Sequence, residues 1–209
     1  MLRKIKILAC NWLDIPVTYG DEFFGEEWLK NWTRLKNVLG DLILTVPAWN
    51  KVLDFGCGPG IMIDHMNALG IEYDGLEYSN EAFEVYRSYF GKYPTHYHQK
   101  LSDLPKTNFS LFLAFDVLEH MKDHEIREIF KSLSDIPDVM VNISRARALP
   151  GHINIKSDEH WIVFFKQMGY LFNEKYTEQL RGKYLQICPN GEDLWHKNHF
   201  IFSKTTKVL

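Results

Sequence analysis

The chain has 209 residues, 45% of them hydrophobic and 24% charged, which is the balance of a globular domain and excludes a disordered, collagenous or coiled-coil chain. Its 24 Lys and Arg against 27 Asp and Glu leave a net charge of −3, so it carries no whole-chain footprint for nucleic acid or an anionic membrane. Cys10, Cys57 and Cys188 are odd in number and lack CxxC spacing, which argues against a disulfide framework or a cysteine-built zinc site and for a reducing compartment.

The start, MLRKIKILAC, mimics the basic opening of a secretion signal, but its apolar run stops at Cys10, short of the roughly 7–15 residues such a signal needs. No apolar stretch approaches the roughly 18 residues of a membrane span, so the expectation is a soluble cytoplasmic protein. Trp28, Trp32, Leu35, Leu39 and Leu42 step by four, three, four and three, which predicts a helix from about Asp21 to Val46, ended by Pro47. From Lys51 the pattern alternates. A buried strand over Lys51 to Phe55 is followed by a glycine-rich turn, a helix over Gly60 to Leu69 and a strand over Ile71 to Glu77. Ser79 offers an N-cap for a helix showing Ala82, Val85, Tyr86 and Tyr89 on one face, stopped by Gly91. Tyr93 to Gln99 reads as a strand, and Phe109 to Phe115 as a strand in the centre of a parallel sheet. Asp123 is expected to cap a helix carrying Ile126, Ile129, Phe130 and Leu133, before a strand over Val139 to Ile143. Ser157 caps a helix with Trp161, Phe164, Phe165 and Met168 inward. Tyr184 to Ile187 and His199 to Phe202 read as two final strands without a helix between them, an antiparallel edge. The sum is α/β: a doubly wound, mainly parallel sheet of seven strands with an antiparallel C-terminal edge. One domain spans 1–209, with residues 1–47 as an N-terminal cap region and 48–209 as the core.

The first strand runs into Asp54-Phe55-Gly56-Cys57-Gly58-Pro59-Gly60, the place where an open α/β sheet binds ligands. No Gly-Lys-Ser/Thr follows, which excludes a Walker phosphate loop, and a dinucleotide fingerprint is disfavoured because its sixth position is Ile61. Asp54 would repel a pyrophosphate but suits a ligand carrying an ammonium and a sulfonium. VLDFGCGPG resembles motif I of class I S-adenosylmethionine-dependent methyltransferases. Three further elements support the resemblance: Glu77 at the second strand's end, the Asp103-Leu104-Pro105 segment, and Phe115-Asp116-Val117-Leu118-Glu119-His120, which resembles the fourth-strand motif of the branch typified by ubiquinone-pathway enzymes. The resemblance covers roughly Lys51 to Ser144 and, more loosely, Gly151 to Tyr170. It implies S-adenosylmethionine as cofactor and S-adenosylhomocysteine as product. The cofactor would lie against Asp54, Gly56, Cys57, Gly58, Gly60 and Asp116, with Glu77 gripping the ribose and Tyr78, Leu101 and Ser102 around the adenine. Tyr19 resembles a ring that covers the cofactor. The chain departs from the family where Lys100-Leu101-Ser102 stands in place of a usual acid.

Methyl transfer needs alignment and, for some acceptors, removal of a proton. A helical turn after Asp116 would turn Asp116, Glu119 and His120 the same way. Three readings stand open: His120 as a general base, all three as a Mg²⁺ set like that of some ubiquinone-pathway and small-RNA 2′-O-methyltransferases, or Asp116 lining the methionine end while Glu119 and His120 hold the scaffold. No metal is assigned. His152 and Asn154 are candidate acceptor contacts, with His152 the second catalytic candidate, and Arg145 and Arg147 candidates for an anionic acceptor. The small cap suggests an open site and an acceptor that is a small molecule, glycan or lipid-linked ring, with oxygen, nitrogen or carbon methylated. The alternative is a cofactor-binding regulatory or interaction module without turnover.

Overall fold

The computed structural model describes residues 37–46, 48–146, 151–187 and 197–204. Of the long N-terminal helix expected from the sequence, residues 37–44 are described and helical (α1), with Val38, Leu39, Leu42 and Ile43 buried. Tyr19, Trp28, Trp32, Leu35, Pro47, Arg147 and the Tyr89 side chain lie outside the described set.

Seven strands form one sheet: β1 (Lys51–Phe55), β2 (Glu72–Leu76), β3 (Tyr97–His98), β4 (Leu111–Phe115), β5 (Asp138–Asn142), β6 (Tyr170–Phe172) and β7 (His199–Lys204). Their order is β3-β2-β1-β4-β5-β7-β6. The first five are parallel, with Val52 opposite Leu111 and Leu113 opposite Met140, whereas β7 runs antiparallel to both β5 and β6. The expected class and its antiparallel edge are therefore both present. Alternation along β4 shows why the strand is apolar throughout. Leu111, Leu113 and Phe115 enter the core on one face, and Phe112 and Ala114 enter the core on the other.

The helices that cover these faces are α2 (Ile61–Ala68), α3 (Asn80–Tyr89), α4 (Asp123–Ser132), α5 (Asp158–Gln167) and α6 (Glu174–Ile187). α1, α2, α3 and α6 contribute buried side chains to the first core and α4 and α5 to the second. Ser79 caps α3 by accepting the Ala82 N–H at 3.1 Å, and Ser157 caps α5 by accepting the His160 N–H at 3.3 Å, as the sequence indicated. Trp161, Phe164 and Phe165 of α5 are buried, with Phe165 stacked on Phe202 at 4.3 Å.

Three local expectations change. Tyr184 to Ile187 is the last turn of α6, because Thr177, Leu180 and Tyr184 form one buried helical stripe; the strand that pairs with β7 is β6, and α6 lies between them. Tyr93 to Gln99 is mostly not strand: Pro94 opens a 3₁₀ turn to His96, and only Tyr97 and His98 pair with β2. Lys122, not Asp123, precedes α4. Its backbone N–H donates to the Glu125 carboxylate at 2.7 Å, while Asp123 sits in the first turn and complements the helix dipole.

Candidate active site

The strands β1, β2, β4 and β5 end at one edge of the sheet, and the turns that leave them carry almost every residue singled out above. Gly56, Gly58 and Gly60 all have positive φ, at 74°, 53° and 68°, a conformation costly for side chains with a Cβ. There is also no room. A Cβ at Gly56 would come within 2.4 Å of Val117, and one at Gly60 within 2.5 Å of the Tyr86 ring. The turn is pinned by the Gly56 N–H on the Leu76 carbonyl at 2.8 Å and by the Tyr97 hydroxyl on the Gly58 carbonyl at 2.9 Å. Cys57 is buried over Gly75, where a Cβ would lie 2.6 Å from its sulfur. Its thiol is pushed up by burial and then by Asp54 and Glu77, so it stays an un-ionised spacer.

Two carboxylates flank this turn. Asp54 is buried and accepts the Tyr73 hydroxyl at 2.9 Å. Burial pushes its pKa up to about 7 against the lowering pull of that bond, with Glu77 adding like-charge repulsion. Glu77 accepts the Ser79 N–H at 2.9 Å on one oxygen and the Gly58 N–H at 3.1 Å on the other. Its pKa is raised by burial, partly offset by these backbone bonds. Its own N–H donates to the His98 carbonyl at 2.9 Å, tying β2 to β3. Tyr78 is 55% exposed, with its ring 6.3 Å from Phe55, so it is not a core residue. Leu101 and Ser102 lie in the 3₁₀ turn Leu101–Asp103 after β3; Leu101 packs on the second core and Ser102 is exposed.

Asp116 follows β4 with φ 54°, the one described non-glycine residue with positive φ. Aspartate tolerates this conformation better than most side chains. The bend leads into the 3₁₀ turn Leu118–His120 and sets Asp116 beside Glu119, whose pKa is pushed well up by burial and then by the Asp116 charge. Glu119 is fully buried. One carboxylate oxygen, Oε1, accepts the Ser144 N–H at 2.9 Å, and its backbone carbonyl accepts the Ile153 and Asn154 N–H groups, both at 2.9 Å. Its Oε2 is buried and has no partner.

Those two bonds bring in a residue that no local pattern links to the turn. Gly151, at φ 74°, carries the chain round so that His152 meets His120 edge to face, with ring centroids 4.6 Å apart. Burial lowers the His120 pKa, partly offset by a bond with the Gly151 backbone. His152 is lowered to about 4 by burial and then by His120, partly offset by a bond with the Ala146 backbone; its Nδ1 is buried without a partner. Both imidazoles are uncharged near neutrality. Glu119, His120 and His152 each offer one ligand-type atom, all within 4.8 Å of one another.

Other candidates are committed elsewhere. The Asn154 amide donates to the Met121 carbonyl at 2.9 Å and to Asp123 at 2.8 Å, a clamp and not a free acceptor contact. Arg145 pairs with Asp158 and donates to the Lys197 carbonyl at 3.1 Å. Tyr73, Tyr97 and Gly75, which shape the glycine turn, gave no motif signal in the sequence.

A family model described as a methyltransferase domain matches residues 26–180. The chain belongs to that family. It is a class I S-adenosylmethionine-dependent methyltransferase, and S-adenosylmethionine is its cofactor. The fold is shared with DesVI of Streptomyces venezuelae, at 13% identity and TM-score 0.61 over 84% of this chain and 93% of that one. It is shared too with the CcbJ methyltransferase of Streptomyces caelestis, at 13% identity and TM-score 0.57 over 82% and 90%. A SAM-dependent methyltransferase from Archaeoglobus fulgidus is similar at 15% identity and TM-score 0.53 over 81% and 94%. No curated protein matches the sequence. Among the described residues of this methyltransferase, no helix is long and apolar enough to cross a membrane.

Proposed function

We propose that this methyltransferase acts on an oxygen of a small hydroxyl-bearing molecule. The observation that carries this reading is the pair of uncharged imidazoles, His120 and His152, 4.6 Å apart beside Asp116 at the carboxyl edge of the sheet. A hydroxyl acceptor has to lose a proton, and uncharged ring nitrogens are the groups that receive or steer it. The half-exposed Ile153, next to His152 in the chain, gives the acceptor end an apolar contact suited to a small organic molecule.

In this reading Asp54 and Asp116 face the methionine end, and the glycine turn lets the backbone approach it. The two oxygens of Glu77 each accept one backbone N–H and keep a lone pair for a ribose hydroxyl. Tyr78 lies on the adenine, and Leu101 and Ser102 edge the ring. The chain works in the cytoplasm as a single domain. The acceptor oxygen attacks the methyl carbon in line with sulfur. A carbon–oxygen bond forms, the carbon–sulfur bond breaks with its pair passing to sulfur, and the sulfonium becomes the neutral thioether of S-adenosylhomocysteine. The hydroxyl proton leaves past the imidazole pair to water.

Labelled S-adenosylmethionine, offered with a panel of hydroxylated small molecules, tests this. Transfer is expected in the unmodified protein and is expected to fall by about 10²–10⁴ in His120→Ala, with S-adenosylhomocysteine affinity retained. Undiminished transfer in that variant removes His120 from the acceptor end.

A further inference from the structure

The sheet ends at β3, and the seam between this edge strand and α3 holds a cleft of about 460 Å³. That lies within the roughly 300–1,000 Å³ of small-molecule pockets. None of Asp54, Glu77, Tyr78, Leu101 and Ser102, the expected cofactor contacts, lines it. Its floor is aromatic: the Tyr97 ring stacks on Tyr86 with centroids 4.5 Å apart and meets Phe83 at 5.3 Å. Its polar groups come from two segments. Arg87 belongs to the second half of α3, whereas Gln99 and Asp103 belong to the chain leaving β3. Arg87 pairs with Glu84 at 3.1 Å, an exposed pair of little strength in water, and lies 5.9 Å from the Phe83 centroid. A guanidinium so placed exchanges its partner readily and takes a carboxylate or phosphate by two parallel bonds. Asp103 accepts the Ser102 hydroxyl at 3.1 Å, which uses one of about four lone-pair sites on a carboxylate. The floor also supports the cofactor turn. Tyr97 donates its hydroxyl to the Gly58 carbonyl at 2.9 Å, and Tyr86 fills the space that a Cβ at Gly60 would need, 2.5 Å away. The same two rings therefore line the cleft and touch the glycine turn.

We propose that this cleft binds a flat aromatic amine carrying an anionic group, and that its occupant tightens cofactor binding through Tyr97 and Tyr86. The ligand ring lies on Phe83 and Tyr97, its anion pairs with Arg87, and its amine donates to Asp103 and to the Gln99 amide oxygen. An aryl carboxylate and a nucleoside monophosphate share this chemistry. Stacking on Tyr97 narrows the positions open to its ring and hydroxyl, so the turn at Gly58 loses less freedom when the cofactor arrives. Linkage makes the effect mutual, and the cofactor tightens the occupant by the same factor. The site stands apart from the question of which acceptor is methylated.

Calorimetry on the full-length chain tests this, with 4-aminobenzoate and adenosine 5′-monophosphate as probes. Each is titrated with and without saturating S-adenosylhomocysteine. At least one probe is expected to bind one-to-one in its presence and to tighten S-adenosylhomocysteine by about fivefold or more. Arg87→Gln, at an exposed position outside the cofactor turn, is expected to weaken that probe by at least about tenfold, while S-adenosylhomocysteine alone binds as before. Tyr97→Phe keeps the ring and loses the hydroxyl bond, so the probe should still bind and the mutual tightening should fall. A probe displaced by S-adenosylhomocysteine sits in the cofactor site, and that result overturns the proposal. So does the absence of heat from both probes, or an undiminished affinity in Arg87→Gln. Binding that leaves S-adenosylhomocysteine affinity unchanged overturns the coupling and upholds the site. The probe that binds identifies the occupant as an aryl carboxylate or a nucleotide.

Discussion

At the scale of single residues, Asp54 shows burial and charge in opposition. A carboxylate beside a cation would gain from being ionised, yet burial holds this one at a pKa of about 7 because desolvation outweighs the Tyr73 bond. The folded chain therefore binds a proton that the unfolded chain, with an ordinary aspartate near 3.8, has released. Between about pH 4 and 7 the folded state holds more protons, so this group's contribution to stability falls as pH rises and levels off above 7. Asp54→Asn removes the effect. The melting temperature of Asp54→Asn minus that of the unmodified cofactor-free protein is expected to grow from pH 5 to pH 8. A difference that stays constant with pH would mean that Asp54 is already ionised at pH 5. Binding a cationic ligand should reverse the balance and release a proton near pH 6, visible as buffer-dependent calorimetric heats.

Among the elements, the glycine turn combines two constraints that can be separated. Gly60 and Gly70 both have positive φ, at 68° and 79°, but a Cβ at Gly60 meets Tyr86 whereas one at Gly70 meets nothing within 4 Å. Gly70→Ala is expected to lose only the left-handed backbone cost of roughly 1–2 kcal/mol. Gly60→Ala adds an overpacking cost of about 1–3 kcal/mol and displaces the ring that supports α2 against α3. Denaturant unfolding of the two variants checks the difference, and equal losses would mean that Tyr86 moves aside freely. The same element scale explains the misread end of the chain. Thr177, Leu180 and Tyr184 are buried at helical spacing, but Tyr176, Thr177, Tyr184 and Ile187 are strand-prone types, so local preference and burial pattern disagree. Packing of Leu180 and Tyr184 on the first core settles it as helix.

On the scale of the whole molecule, the surroundings of the His120–His152 pair are made by segments distant in the chain, held through Glu119 and Asn154. Asn154 donates both to the Met121 carbonyl and to Asp123, so it ties the loop after β5 to the start of α4. Asn154→Leu is expected to speed amide hydrogen exchange at Ile153 and His152 and to lower methyl transfer, with S-adenosylhomocysteine affinity unchanged. Unaltered exchange would show that the Glu119 bonds alone hold the loop. The sequence by itself determined the alternation of strands and helices, the α/β class with an antiparallel edge, the Ser79 and Ser157 caps and the glycine turn, with Asp54, Glu77 and Asp116 near strand ends. Each of these is written in periodicity, in glycine spacing or in a cap next to the helix it starts. What only the tertiary structure decided is the meeting of His152 with Glu119 and His120, the buried Glu119 oxygen left without a hydrogen-bond partner, and the support of the turn by Tyr73, Tyr97 and Gly75. Those relations join residues from separate strands and loops, where side-chain position is set by sheet register and close packing and leaves no periodic trace along the chain.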